Sequence, residues 1–334
     1  MINKFLDLVI EKGASDLHLS SNNIPAIRIS GDLVKIGREA SSPDFINNII
    51  KEILPKEKSQ SFQEGAEIDH SFHYNDNYRF RINCFHNIKG PAVTFRSVTS
   101  KILTLEEIMA PKIFYDLCQL KKGLIIISGA TGSGKSTTLA AMINYINHNY
   151  SKHIISIEDP IEYIHKSNKS LINQIEIGKN TKSFSDSLRS CLRQDPDIIL
   201  VGEIRDLETM RLALTAAETG HLVLTTLHTN SAYHAINRII DVFPQNDKNT
   251  IRSMLSMSLR AIICKQLVKT KQNSRCAAFE IMIANAAVKN LIRTDNIHNL
   301  NSAIETGSQI GMTTMEHYLQ DLIDKNIIDQ NPQN

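Results

Sequence analysis

Four short apolar runs dominate the middle of the chain: Leu124-Ile125-Ile126-Ile127 with Ser128, Ile154-Ile155-Ser156-Ile157, Ile198-Ile199-Leu200-Val201 and Leu222-Val223-Leu224-Thr225-Thr226. They are β-branched and do not alternate with polar residues, as expected of strands in a parallel sheet buried on both faces. Stretches of helical spacing lie between them. The alternation predicts the βαβ pattern of a nucleotide-binding α/β domain. After Pro244 the pattern changes. Met254, Leu255, Leu259, Ile262 and Ile263 fall at helical spacing and predict a helical continuation with that stripe packed in the core.

The first hundred residues follow a different rhythm and predict a small α/β module. Phe5, Leu6, Val9 and Ile10 mark an amphipathic opening helix that ends near Gly13. Alternation predicts strands at Asp16–Ser20 and Ala26–Ile29, with Gly31-Asp32 as a hairpin turn. Residues 43–54 read as a helix through Phe45, Ile46, Ile49 and Ile50, and further strands are predicted at 68–74, 78–86 and 92–98. In the strand at 78–86, Tyr78, Phe80, Ile82 and Cys84 share one face while Arg79 and Arg81 share the other. Small polar residues at 97–105 suggest a connection. The expected organisation is therefore 1–98, a linker at 99–105, and 106–334 with a helical subdomain from about residue 270. Two domains suit a chain of 334 residues.

Composition narrows the classes. A net charge of +2 supplies no global field toward nucleic acid or anionic lipid. No apolar run approaches the ~20 residues that cross a bilayer, and the opening segment, with Asp7 early and no long apolar stretch, does not read as a signal peptide. Cys84, Cys118, Cys191, Cys264 and Cys276 are scattered without a C-x-x-C pair. They suggest neither a zinc knuckle nor a disulfide framework, and they fit a reducing cytoplasm.

The chemistry centres on Gly129-Ala130-Thr131-Gly132-Ser133-Gly134-Lys135-Ser136, a complete G-x-x-x-x-G-K-[ST] loop between an apolar run and a helical stretch that opens at Thr137. The glycines let backbone N–H groups cradle phosphate oxygens, and the helix start adds positive dipole potential. Lys135 would reach the β- and γ-phosphates of ATP, and the Ser136 hydroxyl would bind Mg²⁺. Hydrolysis needs acids beside the loop. Glu203, which ends the run from Asp197, is the expected Mg²⁺-side acid. Glu162, one of three carboxylates in Glu158-Asp159-Pro160-Ile161-Glu162, is expected to polarise the attacking water. His221 and His228 flank the run 222–226 and are candidates for sensing the γ-phosphate, with no third ligand spaced for a metal. Arg81, and Arg96 on the next predicted strand, are candidate guanidiniums for the departing phosphate; an ordinary charged outer face accounts for Arg79 and Arg81 taken alone.

Together these motifs resemble the type II/type IV secretion ATPase superfamily, and within it the motors that retract type IV pili. The resemblance rests on Gly13-Ala14-Ser15-Asp16-Leu17-His18-Leu19, the Walker A loop at 129–136, an Asp box at 157–163, a Walker B segment within 188–206, and a His box from Thr219-Gly220-His221 to Leu227-His228-Thr229. It implies a PAS-like N-terminal domain, a RecA-like ATPase domain and a homohexameric ring. It also implies catalytic roles for Lys135, Glu162, Glu203 and His228, coupling by His221, and arginines of the N-terminal domain (Arg81 and Arg96) directed at nucleotide. The implied partners are the inner-membrane pilus platform protein, met from the cytoplasmic side, and a paralogous accessory ATPase; no nucleic acid is expected. Ala287-Val288-Lys289-Asn290-Leu291-Ile292-Arg293 is similar to a short motif of retraction motors and departs from it at Val288, Lys289 and Thr294. Neither the additional N-terminal domain nor the four-cysteine insert found in extension and secretion ATPases is seen in this sequence. Those ATPases, and a weakly hydrolysing accessory subunit, are the alternatives.

Overall fold

The computed structural model describes residues 2–29, 31–75, 78–99, 101–204, 206–272 and 274–329. The chain divides into two compact units, Met1–Lys101 and Ile102–Asn334.

The first unit contains α1 (Asn3–Glu11), β1 (Asp16–Ser20), β2 (Ala26–Ile29), β3 (Asp32–Lys35), α2 (Pro43–Ile53), α3 (Lys56–Gln63), β4 (Ile68–Asn75), β5 (Tyr78–Asn87) and β6 (Gly90–Thr99). Its strands form one antiparallel sheet in the order β3-β2-β1-β6-β5-β4. Helix α2 begins where the Ser42 hydroxyl accepts from the Phe45 N–H with Pro43 in the first turn, and it buries Ile46, Ile49, Ile50 and Ile53. The alternation in β5 is realised. Phe80, Ile82 and Cys84 are buried in the core, and Arg81 is exposed. Strand β3 and helix α3 escape the sequence reading because β3 is exposed throughout and α3 buries only Phe62.

The second unit contains α4 (Ile113–Leu117), β7 (Gly123–Ser128), α5 (Lys135–Asn149), β8 (His153–Glu158), β9 (Leu171–Glu176), α6 (Phe184–Cys191), β10 (Ile198–Val201), α7 (Leu207–Glu218), β11 (Leu222–Leu227), α8 (Ala232–Asp241), α9 (Lys248–Ser258), β12 (Leu259–Lys269), β13 (Arg275–Ile283), α10 (Ala286–Arg293), α11 (Leu300–Glu305) and α12 (Met315–Asp324). The sheet order is β13-β12-β7-β11-β10-β8-β9. Its pairings are parallel except for the β12–β13 hairpin. The four apolar runs are strands β7, β8, β10 and β11, and helices cover the sheet on both faces through two separate core clusters.

Three expectations are corrected by the observed elements. The stripe from Met254 to Ile263 is not one helix. Helix α9 stops at Ser258, and Leu259, Ile262 and Ile263 belong to β12, which pairs with β7. A contiguous apolar run fits a buried strand and a buried helix equally, and pairing with β7 decided the matter. Because β13 follows, the helical end of the chain begins at Ala286 and not near residue 270. The connection is also shorter than 97–105. Ser97 sits in β6 with its N–H on the Ser15 carbonyl at 2.8 Å, and Leu105 is buried in the core of the second unit. Ser100 lies outside the described residues.

Candidate active site

In a parallel sheet the loops at one edge leave from the carboxyl ends of neighbouring strands, and ligands bind there. Strands β7, β11, β10 and β8 are consecutive neighbours in register, so Ser128, Leu227, Val201 and Ile157 bring their following loops together. These loops carry the phosphate-loop motif, His228, Glu203 and Glu162 respectively. A clasp fixes the first two. The Ser128 hydroxyl donates to the Leu227 carbonyl (3.2 Å) or the Thr229 carbonyl (2.7 Å) and accepts from the Thr229 N–H (3.0 Å). Between β11 and β10, the Thr226 hydroxyl donates to the Gly202 carbonyl at 2.5 Å.

The loop from Gly129 runs into α5, whose N-cap is Gly134 at φ +83°, a left-handed conformation that glycine adopts at little cost. The Lys135 ammonium donates to the carbonyls of Gly129 (2.9 Å) and Ala130 (3.0 Å) and lies 3.4 Å from His228 Nδ1. His228 Nε2 in turn lies 3.4 Å from Glu203 Oε2. Burial lowers the Lys135 pKa, and the charges of Glu203 and Glu162 act against that shift. The charges of both acids thus act on the same ammonium. Glu203 is mostly shielded, whereas Glu162 faces solvent.

Residues that sequence reasoning passed over hold this arrangement. Tyr163, directly after Glu162, makes a 2.9 Å hydroxyl–hydroxyl bond with Thr137 and so ties the acidic loop to α5. Gln174 of β9 donates to the Tyr163 carbonyl at 2.8 Å and to Glu158 at 3.2 Å. Burial raises the Glu158 pKa against hydrogen bonds from Ser156 and Gln174. A cavity of about 40 Å³ lies behind Ser136 and is lined also by Ser156, Glu158, Tyr163, His165 and Thr226. It has room for water. Burial pushes the His165 pKa down to about 4.

Within the second unit, one candidate lies away from the loop. His221 precedes β11 at the opposite edge of the sheet. Its Nδ1 lies 3.0 Å from the Ala216 carbonyl, and its own carbonyl accepts from the Gly123 N–H that opens β7. Strand residues rise about 3.3 Å each, so roughly 20 Å separate it from His228. Sequence adjacency to one strand could not tell which end faces the nucleotide, and His221 is not part of this site. Arg81 and Arg96 lie in the first unit. The Arg96 Nε donates to Asp16 Oδ1 at 2.9 Å. Burial alone would raise the Asp16 pKa, but hydrogen bonds from Ser15 and Arg96 hold it below the usual value. Arg81 is exposed and opposes Arg96 across β5 and β6.

The chain matches the family described as "Type II/IV secretion system protein" over residues 1–327. It is 47% identical over 327 residues to the type IV pilus retractation ATPase PilT of Pseudomonas aeruginosa, covering 98% of this chain and 95% of that protein. It is 49% identical over 305 residues to a twitching motility protein of Neisseria gonorrhoeae, covering 91% and 82% of the two chains. Among solved structures, the pilus retraction motor PilT with bound ADP superposes with a TM-score of 0.91 at 41% identity, covering 98% of this chain and 94% of that one. No helix among the described residues is long and apolar enough to cross a membrane.

Proposed function

The chain belongs to the type II/IV secretion system protein family, and on that premise we propose that it is a motor ATPase that hydrolyses ATP to power retraction of a type IV pilus. The observation that carries the reading is the linked set Lys135, His228 and Glu203 at adjacent strand ends, with the Glu162 charge bearing on the same ammonium.

In this reading the N–H groups of residues 129–136 and the start of α5 receive the phosphate oxygens. Lys135 exchanges the Gly129 and Ala130 carbonyls for β- and γ-phosphate oxygens. Glu162, open to solvent, orients the attacking water and accepts its proton. His228 bridges Lys135 and Glu203, so loss of the γ-phosphate is felt along that line. Mg²⁺ takes few protein ligands and prefers oxygen, which suits the Ser136 hydroxyl with Glu203 nearby; it would neutralise charge building on the β- and γ-phosphates. The working assembly is a homohexamer in which Arg81 and Arg96 of a neighbouring subunit face the nucleotide. Its partners are the inner-membrane pilus platform protein, met from the cytoplasmic side, and a paralogous accessory ATPase.

Phosphate release by the purified full-length chain tests the chemistry. Lys135→Ala should lose nucleotide binding and hydrolysis together, and Glu203→Gln should keep ADP while hydrolysis falls by about 100-fold. An active Lys135→Ala would refute the site. Deleting the gene tests the biology. Cells crowded with non-retracting pili support retraction, whereas bald cells would identify an extension motor.

A further inference from the structure

Strand β12 packs against the phosphate loop and contributes a second lysine there. Lys265 follows Ile262-Ile263-Cys264 and is only 4% exposed. Its ammonium donates to the Gly134 carbonyl at 3.1 Å and to the Thr138 hydroxyl at 2.9 Å, and it lies 5.7 Å from the centre of the Phe279 ring. The Thr138 hydroxyl donates to the same Gly134 carbonyl at 3.1 Å. Among the described residues no carboxylate pairs with Lys265. Phe279 is itself packed edge-on by Phe114 and Tyr318, so the surroundings are apolar. Burial lowers the Lys265 pKa to about 8, which leaves the group mostly cationic at neutral pH.

A buried, unpaired ammonium is costly. This one is spent on the loop at both ends. Its backbone carbonyl lies 2.3 Å from where a Cβ on Gly129 would stand, and its Nζ lies 3.0 Å from the same position on Gly134. The Gly134 carbonyl and the Lys135 N–H belong to one peptide unit. An ammonium on the carbonyl polarises that unit and strengthens the N–H as a donor to an anion.

We propose that Lys265 is a positioning residue for the nucleotide's phosphates: it holds the Gly134–Lys135 peptide in place through the Gly134 carbonyl and adds positive charge to the amide cradle, in addition to Lys135. The bound phosphates meet the backbone that Lys265 sets, not Lys265 itself. The inference rests on the reading of residues 129–136 as the nucleotide site.

Three full-length proteins test it, with ADP titrated by calorimetry and with KM and kcat for ATP taken from phosphate release. Lys265→Met keeps the bulk and removes the charge. It should weaken ADP binding and raise the ATP KM by about tenfold, ~1.4 kcal/mol, with kcat changed by less than about threefold. Lys265→Arg should recover part of the affinity. The ligand-free melting temperature of Lys265→Met should equal or exceed wild type, because replacing a buried unpaired charge by an apolar side chain is neutral or stabilising. A Lys265 that served only as a structural strut would lower it instead. Wild-type ADP affinity in folded Lys265→Met, or in Lys265→Gln should the Met variant not fold, overturns the proposal. A wild-type protein that binds no ADP, or a Lys135→Ala that binds it equally well, overturns the nucleotide reading itself.

Discussion

In the proposed reading Glu162 and Glu203 bear on one lysine from different surroundings, and that difference would separate their tasks. Glu203 is mostly shielded and lies 3.4 Å from His228, which suits the Mg²⁺-side role proposed for it. Glu162 is exposed, which suits the base role proposed for it. Glu162→Gln should therefore lower kcat by about 100-fold or more while the ATP KM moves by less than about threefold. Unchanged turnover in steady-state phosphate release would remove it as the base. His165, on the cavity behind Ser136, gives a pH prediction. Its folded pKa is near 4 against 6.5 when unfolded, so between those values the unfolded chain binds more protons and stability falls as pH falls. Denaturant unfolding at about pH 7 and about pH 4.5 should show wild type losing on the order of 2 kcal/mol more than His165→Gln. Equal losses would mean that His165 is protonated in the folded protein.

At the scale of elements, the contact between β12 and the phosphate loop explains why glycines in that loop are unequal. A Cβ on Gly129 would meet the Lys265 carbonyl at 2.3 Å and Ser133 Oγ at 2.7 Å, whereas one on Gly132 meets nothing within 4 Å. Both have positive φ, which costs an L-residue roughly 1–2 kcal/mol. Gly129→Ala adds overpacking of a further ~1–3 kcal/mol and must push β12 from β7 or distort the loop. Thermal melts should rank wild type above Gly132→Ala and Gly132→Ala above Gly129→Ala; the reverse order would mean that the loop relaxes freely. That contact was hidden in the sequence. The strands β7, β8, β10 and β11 were legible because burial on both faces leaves unbroken apolar runs, and β5 because its two faces differ. Strand β12 was read as helix because Leu259, Ile262 and Ile263 satisfy either period. Lys265 was the available clue, since a lysine directly after Ile262-Ile263-Cys264 must be buried with a partner or end the element. His221 was misplaced for a related reason: the sequence shows that a histidine borders a strand, but only the parallel register shows which edge of the sheet that is.

For the whole molecule, the phosphate loop, both acids and His228 come from the unit after Ile102, while the candidate guanidiniums come from the unit before it. Arg96 is partly neutralised by Asp16. Arg81 opposes Arg96 across two strands, and among the described residues no carboxylate pairs with it. Two like charges in that register repel, and an anion placed before them relieves the repulsion. Arg81 is thus the better probe, because removing it leaves the Asp16–Arg96 pair in place. If a neighbouring subunit supplies the guanidinium, Arg81→Ala and Lys135→Ala proteins are each inactive for different reasons, one lacking the guanidinium and the other the phosphate grip. Mixed before assembly, they form rings in which an intact loop from an Arg81→Ala subunit meets Arg81 from a Lys135→Ala neighbour. With random mixing and one heterologous interface per site, about a quarter of sites are complete, so phosphate release should rise to roughly that fraction of wild type. If Arg81 instead serves the loop of its own chain, no mixing ratio restores activity, because every subunit carries one of the two lesions.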